Sequence, residues 1–130
     1  MRIPVTKSLR DEFAMQLHVS LAALQRWPSE QAWEPLAQIF NVIQIAVRDD
    51  PKRSHEALLI NSGARALQQI ERRACSGRDL PEHEIAPIRI AVDAIDRMMG
   101  KLDVMQLNAA MIELQAMAAI DHASGQELNR

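Results

Sequence analysis

The densest group of side chains that could carry chemistry is a short acidic segment with one histidine. Asp79, Glu82, His83 and Glu84 occur close together, and such a mixture could transfer protons or bind a metal ion if a second element completed it. The segment also lies where an apolar, helix-like pattern begins, and acidic residues are favoured at the positive end of a helix dipole. Helix capping explains the segment without catalysis, and we assign no catalytic residue.

The remaining histidines and the single cysteine do not fall into a catalytic or metal-binding pattern. None of the four histidines follows an acidic residue by three positions, the spacing used by carboxylate-bridged metal sites in helical bundles. The HExxH, paired CxxC, P-loop, GxGxxG and GxSxG motifs are absent as well. Cys75 falls near the expected C-terminal end of a helix, which does not stabilise a thiolate. The sequence therefore predicts no cofactor and no metal, and it gives little reason to expect an enzyme.

Composition points to one ordinary globular domain spanning residues 1–130. Apolar residues make up 48% and charged residues 25% of the chain, and no linker-like segment interrupts it. Aromatic residues are only 3% and the net charge is −2, so neither a base-stacking surface nor a dominant basic face for nucleic acid is expected. One cysteine, no secretory leader pattern and no long apolar run lead us to expect a cytoplasmic protein without a membrane span.

Apolar residues recur at helical spacing throughout, which predicts an all-α fold. We expect a single-domain bundle of about five mostly antiparallel helices, near residues 8–26, 30–47, 51–76, 82–99 and 104–120. Residues 1–7 are expected to form a flexible arm and residues 121–130 a flexible tail. Gly63 lies inside the third of these helices, where glycine costs about 1 kcal/mol relative to alanine. Either a close helix crossing or a kink is expected there.

The last predicted helix has two apolar faces instead of one. On a helical wheel, Gln106 and Glu113 form one polar line and Asn108 and Gln115 form the opposite line. A helix that is apolar on two sides needs a partner on each. It is therefore either the central helix of the bundle or a helix with one face in a subunit interface. The candidate interface consists of the residues on the second face: Met105, Ala109, Ile112, Ala116 and Ile120.

Two polar surfaces could bind a different protein. Gln38 and Asn41 belong to a strip of neutral side chains on the second helix, and Arg65 and Arg72 lie on the expected exposed side of the third. The function that we expect is a non-enzymatic helical protein that self-associates, most simply as a homodimer. A regulatory or inhibitory adaptor that uses these polar surfaces is the alternative. A small-ligand binder or enzyme with a pocket between helices is the second alternative.

Overall fold

The computed structural model describes residues 7–48, 50–102 and 104–128. For residues 7–9, 104, 118 and 121–128 it describes the backbone only. The described residues form helices and their connections, without a strand. The all-α fold is thereby confirmed. The helices are α1 (Lys7–Arg26), α2 (Glu30–Arg48), α3 (Ser54–Gln69), α4 (Glu71–Cys75), α5 (Glu82–Met98) and α6 (Val104–Leu128), with single 3-10 turns at Pro51–Arg53 and Met99–Lys101.

Four of the long helices form a closed ring. Each packs against two others in the order α1, α2, α3, α5 and back to α1, while α6 packs on α2 from outside the ring. The helix with the most neighbours is therefore α2, because it contacts α1, α3, α4 and α6. A four-helix bundle with one added helix accounts for the five long helices expected from the sequence.

Hydrogen bonds between α2 and α3 show that these two helices run antiparallel. The indole N–H of Trp33, near the start of α2, donates to the carbonyl oxygen of Leu67 at 2.8 Å, near the end of α3. Gln44, near the end of α2, donates to Asn61 at 3.0 Å. Short connections between consecutive helices favour this arrangement, as in other up-and-down bundles.

The core occupies the centre of the ring. Apolar residues at helical spacing turn one face of each ring helix inward. Among the described residues, no polar or charged residue is buried. Phe40 is the largest fully buried side chain. Leucines and isoleucines make up most of the other large, fully buried side chains, namely Leu17, Leu24, Leu36, Ile43, Ile60, Leu67, Ile70, Ile85, Ile88 and Ile95.

Several helix ends follow the local sequence. Asp50 caps the turn that precedes α3, accepting the Lys52 backbone N–H at 3.0 Å, with Pro51 at the first position. The predicted third helix, in contrast, is divided at Ile70 into α3 and α4. Gly77 then ends α4 with a positive φ of 74°. The Arg78 N–H bonds to the Arg73 carbonyl in the pattern of a Schellman motif.

Gly63 marks the closest approach of α3 to α5. A Cβ atom at this position would lie 2.3 Å from the Cβ of Ala91, 3.1 Å from the ring of Phe40 and 3.1 Å from the carbonyl oxygen of Pro87. α3 continues through residue 63 without a break. Of the two reasons proposed for this glycine, close helix crossing is therefore confirmed.

The last helix differs from its prediction in place and in length. It lies at the edge of the molecule, so the alternative that made it the central helix of the bundle is wrong. It also continues to Leu128, whereas the apolar pattern ends at Ile120 and a flexible tail was predicted to follow. The expected N-terminal arm lies outside the described residues, apart from Lys7, which begins α1.

We predict that Gly63→Ala destabilises the fold even though alanine is the better helix former. Overpacking against Ala91 costs about 1–3 kcal/mol, while the helix propensity gained is about 1 kcal/mol. The free energy of unfolding, measured in urea, should therefore fall by up to about 2 kcal/mol. Adding Ala91→Gly should relieve the clash, so that the two substitutions couple favourably in a double-mutant cycle.

Ser62→Ala supplies the matched control, because Ser62 is exposed on the same helix. This variant should change the free energy of unfolding by no more than about 0.5 kcal/mol. A Gly63→Ala protein that is more stable than the wild type by the full helix-propensity gain of about 1 kcal/mol would show that α3 and α5 can separate at no cost.

Candidate interaction surface

The second apolar face of α6 points away from the rest of the molecule. Met105, Ile112 and Ile120 are 62%, 67% and 65% exposed, and Ala109 and Ala116 are exposed between them. We call these five residues the outer face of α6. They are the same five that the sequence predicted as an interface. The structure places all of them on the surface of a single chain, and whether another chain covers them stays a prediction.

Few side chains hold α6 to the bundle. Leu107 and Ala110, in the first two turns, are its buried residues among those whose side chains are described. Leu114 follows them on the same side and is half-buried. The inner face of α6 packs on α2. On the opposite face, the large side chains that the structure describes are more than half exposed.

An ion pair ties the middle of α6 to the end of α2. The guanidinium of Arg48 donates to both carboxylate oxygens of Glu113, at 3.1 and 3.2 Å. Glu113 is the only charged residue between Val104 and Ile120. Its charge is therefore balanced within the chain, and the surface of α6 over this range is close to neutral. Nothing in the sequence indicates this pair, since its two members are 65 residues apart.

A groove runs between α1 and α6 across α2. Its volume is about 670 Å³. Apolar side chains such as Phe13, Ile39 and Leu114 line it together with neutral amides, which include Gln38 and Asn41. The candidate partner strip on α2 thus borders α6. Among the described residues, those that line the groove carry no charge.

The other half of the predicted partner surface lies apart on α3 and α4. Arg65 and Arg72 are exposed, and within the described ranges no carboxylate lies at ion-pair distance from either. A narrow groove between α2 and α3 has Asn41 and Gln68 on its lining. Asn41 therefore borders both grooves.

The acidic segment at the start of α5 is occupied by ion pairs. Glu82 accepts hydrogen bonds from Arg89, and Glu84 accepts one from Arg73 of α4. The bond from Arg89 lowers the pKa of Glu82. The residue before the helix, Pro81, makes no side-chain cap. Glu82 and Glu84 therefore form ion pairs with arginines. The sequence had suggested helix capping as the reason for these acids.

Cys75 is exposed but is not an activated nucleophile. Loss of water around the sulfur raises the pKa of its thiol, and the negative charges of Glu30, Glu71 and Glu34 raise it further. A higher pKa leaves less thiolate at neutral pH, and the thiolate is the reactive form.

Other features that could indicate a function are missing from the part of the chain that the structure describes. There, no three His, Cys, Asp or Glu side chains come together in a way that could hold a metal ion. No described helix combines the length and apolarity needed to cross a bilayer. Comparison with known proteins finds no matching family model, no similar curated protein and no similar solved structure.

We predict that Cys75 reacts slowly with iodoacetamide. The rate should be lower in the folded protein than in urea at the same pH, because the raised pKa depletes the thiolate. The rate should increase with pH through a midpoint above that of an ordinary thiol. Glu71→Gln removes one of the negative charges and should therefore speed the reaction at neutral pH.

Asp93→Asn is a suitable control, since it changes the net charge equally but lies on α5 and is not among the groups that raise the Cys75 pKa. A folded protein that reacts as fast as the unfolded one would contradict the inferred environment of the thiol.

Proposed function

We propose that this protein is a non-enzymatic helical interaction protein that self-associates through the outer face of α6. The observation that carries the proposal is the exposure of Met105, Ile112 and Ile120 on one side of a single helix. Isolated apolar side chains are normal on protein surfaces, but a contiguous apolar patch usually marks an association site. This one extends over several helical turns.

The chemistry of the outer face suits another apolar surface better than water or a charged partner. Its five residues are three large apolar side chains and two alanines, and alanine allows a neighbouring helix to approach closely. Glu113, the one charged residue between Val104 and Ile120, is already paired with Arg48. Association therefore removes apolar area from water without burying an unpaired charge, which is the combination that costs least.

We predict that Ile112→Glu produces a folded monomer. Ile112 is 67% exposed, so a charge there should leave the free energy of unfolding within about 0.5 kcal/mol of the wild type. In a dimer the substitution loses about 1.5–3 kcal/mol of apolar burial for each copy. The dissociation constant should rise at least tenfold, since about 1.4 kcal/mol corresponds to a factor of ten. Light scattering over a hundredfold range of protein concentration measures it.

Leu58→Glu is the matched control. Leu58 is 69% exposed but lies on α3, away from the outer face of α6. It should leave the association unchanged. A wild-type protein that remains monomeric over the whole concentration range would contradict the proposed function. So would an equal increase of the dissociation constant in the Ile112→Glu and Leu58→Glu variants.

A second candidate function is an adaptor that binds an acidic protein through Arg65 and Arg72. The observation that favours it is that both arginines are exposed and, among the described residues, lack an ion-pair partner. Other arginines form ion pairs within the chain, for example Arg48, Arg73 and Arg89. Unpaired guanidinium groups are suited to carboxylates or phosphates on a partner.

The adaptor function predicts that Arg65→Glu with Arg72→Glu abolishes the recovery of a specific partner from native lysate. The control carries the same charge change at Arg78 and Arg97, which are also exposed. If both double variants recover the same proteins as the wild type, the arginine surface does not bind a partner.

We keep the cytoplasm as the proposed location. The support is the single exposed thiol of Cys75, which persists most readily in a reducing compartment. Cell fractionation of the tagged protein tests this proposal independently of the association.

A further inference from the structure

The outer face of α6 has a sequence that reads alike in both directions. Large and small side chains alternate along it as Met105, Ala109, Ile112, Ala116 and Ile120. Met105 and Ile120 are equally distant from a point between residues 112 and 113, and so are Ala109 and Ala116. A surface with this symmetry can match its own copy when the copy is turned end over end.

We propose that the partner of the outer face is the same face of a second copy, with the two α6 helices antiparallel. The two-fold axis passes between residues 112 and 113. This inference rests on the self-association proposed above and adds the orientation of the two chains. In such an isologous interface each contact occurs twice. Met105 of each copy then faces Ile120 of the other, and Ala109 faces Ala116.

The size of the residues suits that arrangement. Where Ala109 meets Ala116 the small side chains let the two helix backbones approach closely. Large side chains then pack at the centre, where the two copies of Ile112 lie side by side, and at both ends. The exposed fractions of Met105, Ile112 and Ile120, between 62% and 67%, are nearly equal. Each part of the face therefore contributes a comparable apolar area.

Charge does not oppose the antiparallel arrangement. A two-fold axis across an antiparallel helix pair brings the same flank of each helix to the same side. Glu113 of both copies then lies near the axis, where two bare carboxylates would repel each other. Each carboxylate is instead held by Arg48 of its own chain, at 3.1 and 3.2 Å. Two neutral ion pairs meet, and each guanidinium can also attract the carboxylate of the other copy.

The attachment of α6 favours the antiparallel over the parallel orientation. Among the side chains that the structure describes, the buried residues of α6 are Leu107 and Ala110, both in its first two turns. Antiparallel pairing places this anchored part of each α6 against the later turns of the other. Parallel pairing would align the helix dipoles, which repel each other when they point the same way.

The area of the outer face sets the strength of the pair. A large apolar side chain offers on the order of 100 Å² for burial and an alanine about half of that, so the whole face offers about 400 Å² per copy. A total of about 800 Å², to which the flanking side chains add, is the size of a weak, transient interface. The dimer should therefore be reversible, with a dissociation constant in about the micromolar range.

Disulfide cross-linking between single cysteines tests the orientation. In a Cys75→Ser background, one variant carries Ala109→Cys and a second, with a tag of different mass, carries Ala116→Cys. Residues 109 and 116 of opposite copies are adjacent in the antiparallel pair. The two copies of residue 109 are then about 10 Å apart along the helix, and disulfides need Cα atoms closer than about 7 Å. Under mild oxidation the mixture should give at least about tenfold more covalent dimer than either variant alone.

Ile112→Cys is the positive control, since residue 112 meets its own copy near the axis. If Ala109→Cys alone cross-links efficiently, the helices are parallel, and the inferred orientation is overturned while self-association stands. If light scattering shows a dimer but no α6 cysteine cross-links, the dimer uses another surface, and both the orientation and the proposed α6 interface are overturned. If scattering shows only monomer, both the orientation and the proposed function fail.

Discussion

The bundle depends on the close approach of α3 and α5 at Gly63. Because residue 63 lacks a Cβ, the backbone of α3 can lie against Ala91 and the carbonyl of Pro87 while touching the ring of Phe40. One glycine thus brings three of the four ring helices together at one point. The helix propensity lost at a glycine is about 1 kcal/mol, and the close packing of this contact offsets it. With α3 and α5 fixed against α2, α1 closes the ring, and the outer side of α2 remains as the place where α6 packs.

Much of the fold could be predicted from the sequence, because helical periodicity determines which face of a helix is buried. The buried stripes of α2 and α5 follow directly from it. The same periodicity does not say which helix covers a given face, and for this reason the position of α6 was not predictable. The break at Ile70 was also missed, since no glycine or proline occurs there and Glu71, Arg72 and Arg73 are compatible with a continuous helix.

The candidate site could be predicted only in part, because periodicity identifies the faces of a helix but not the residues that pack against them. The two polar lines on α6 separated its apolar faces correctly, so the exposed position of Ile112 agrees with a surface face. The pairing of Glu113 with Arg48 could not be inferred, because it depends on how the bundle brings distant segments together. In the neutral strip of α2, Gln44 is explained by its hydrogen bond to Asn61 of α3. Gln38 and Asn41 instead line a groove beside α6.

The weak attachment of α6 has a consequence for the dynamics of the chain. Cooperative units of a protein open separately when few buried contacts join them. α6 has Leu107 and Ala110 as its buried anchors among the described side chains, whereas every ring helix contributes several core residues. The helix can therefore detach in a local unfolding event that costs less free energy than opening the ring. Its amide protons should exchange with solvent earlier than those of α2, and covering the outer face should slow that exchange.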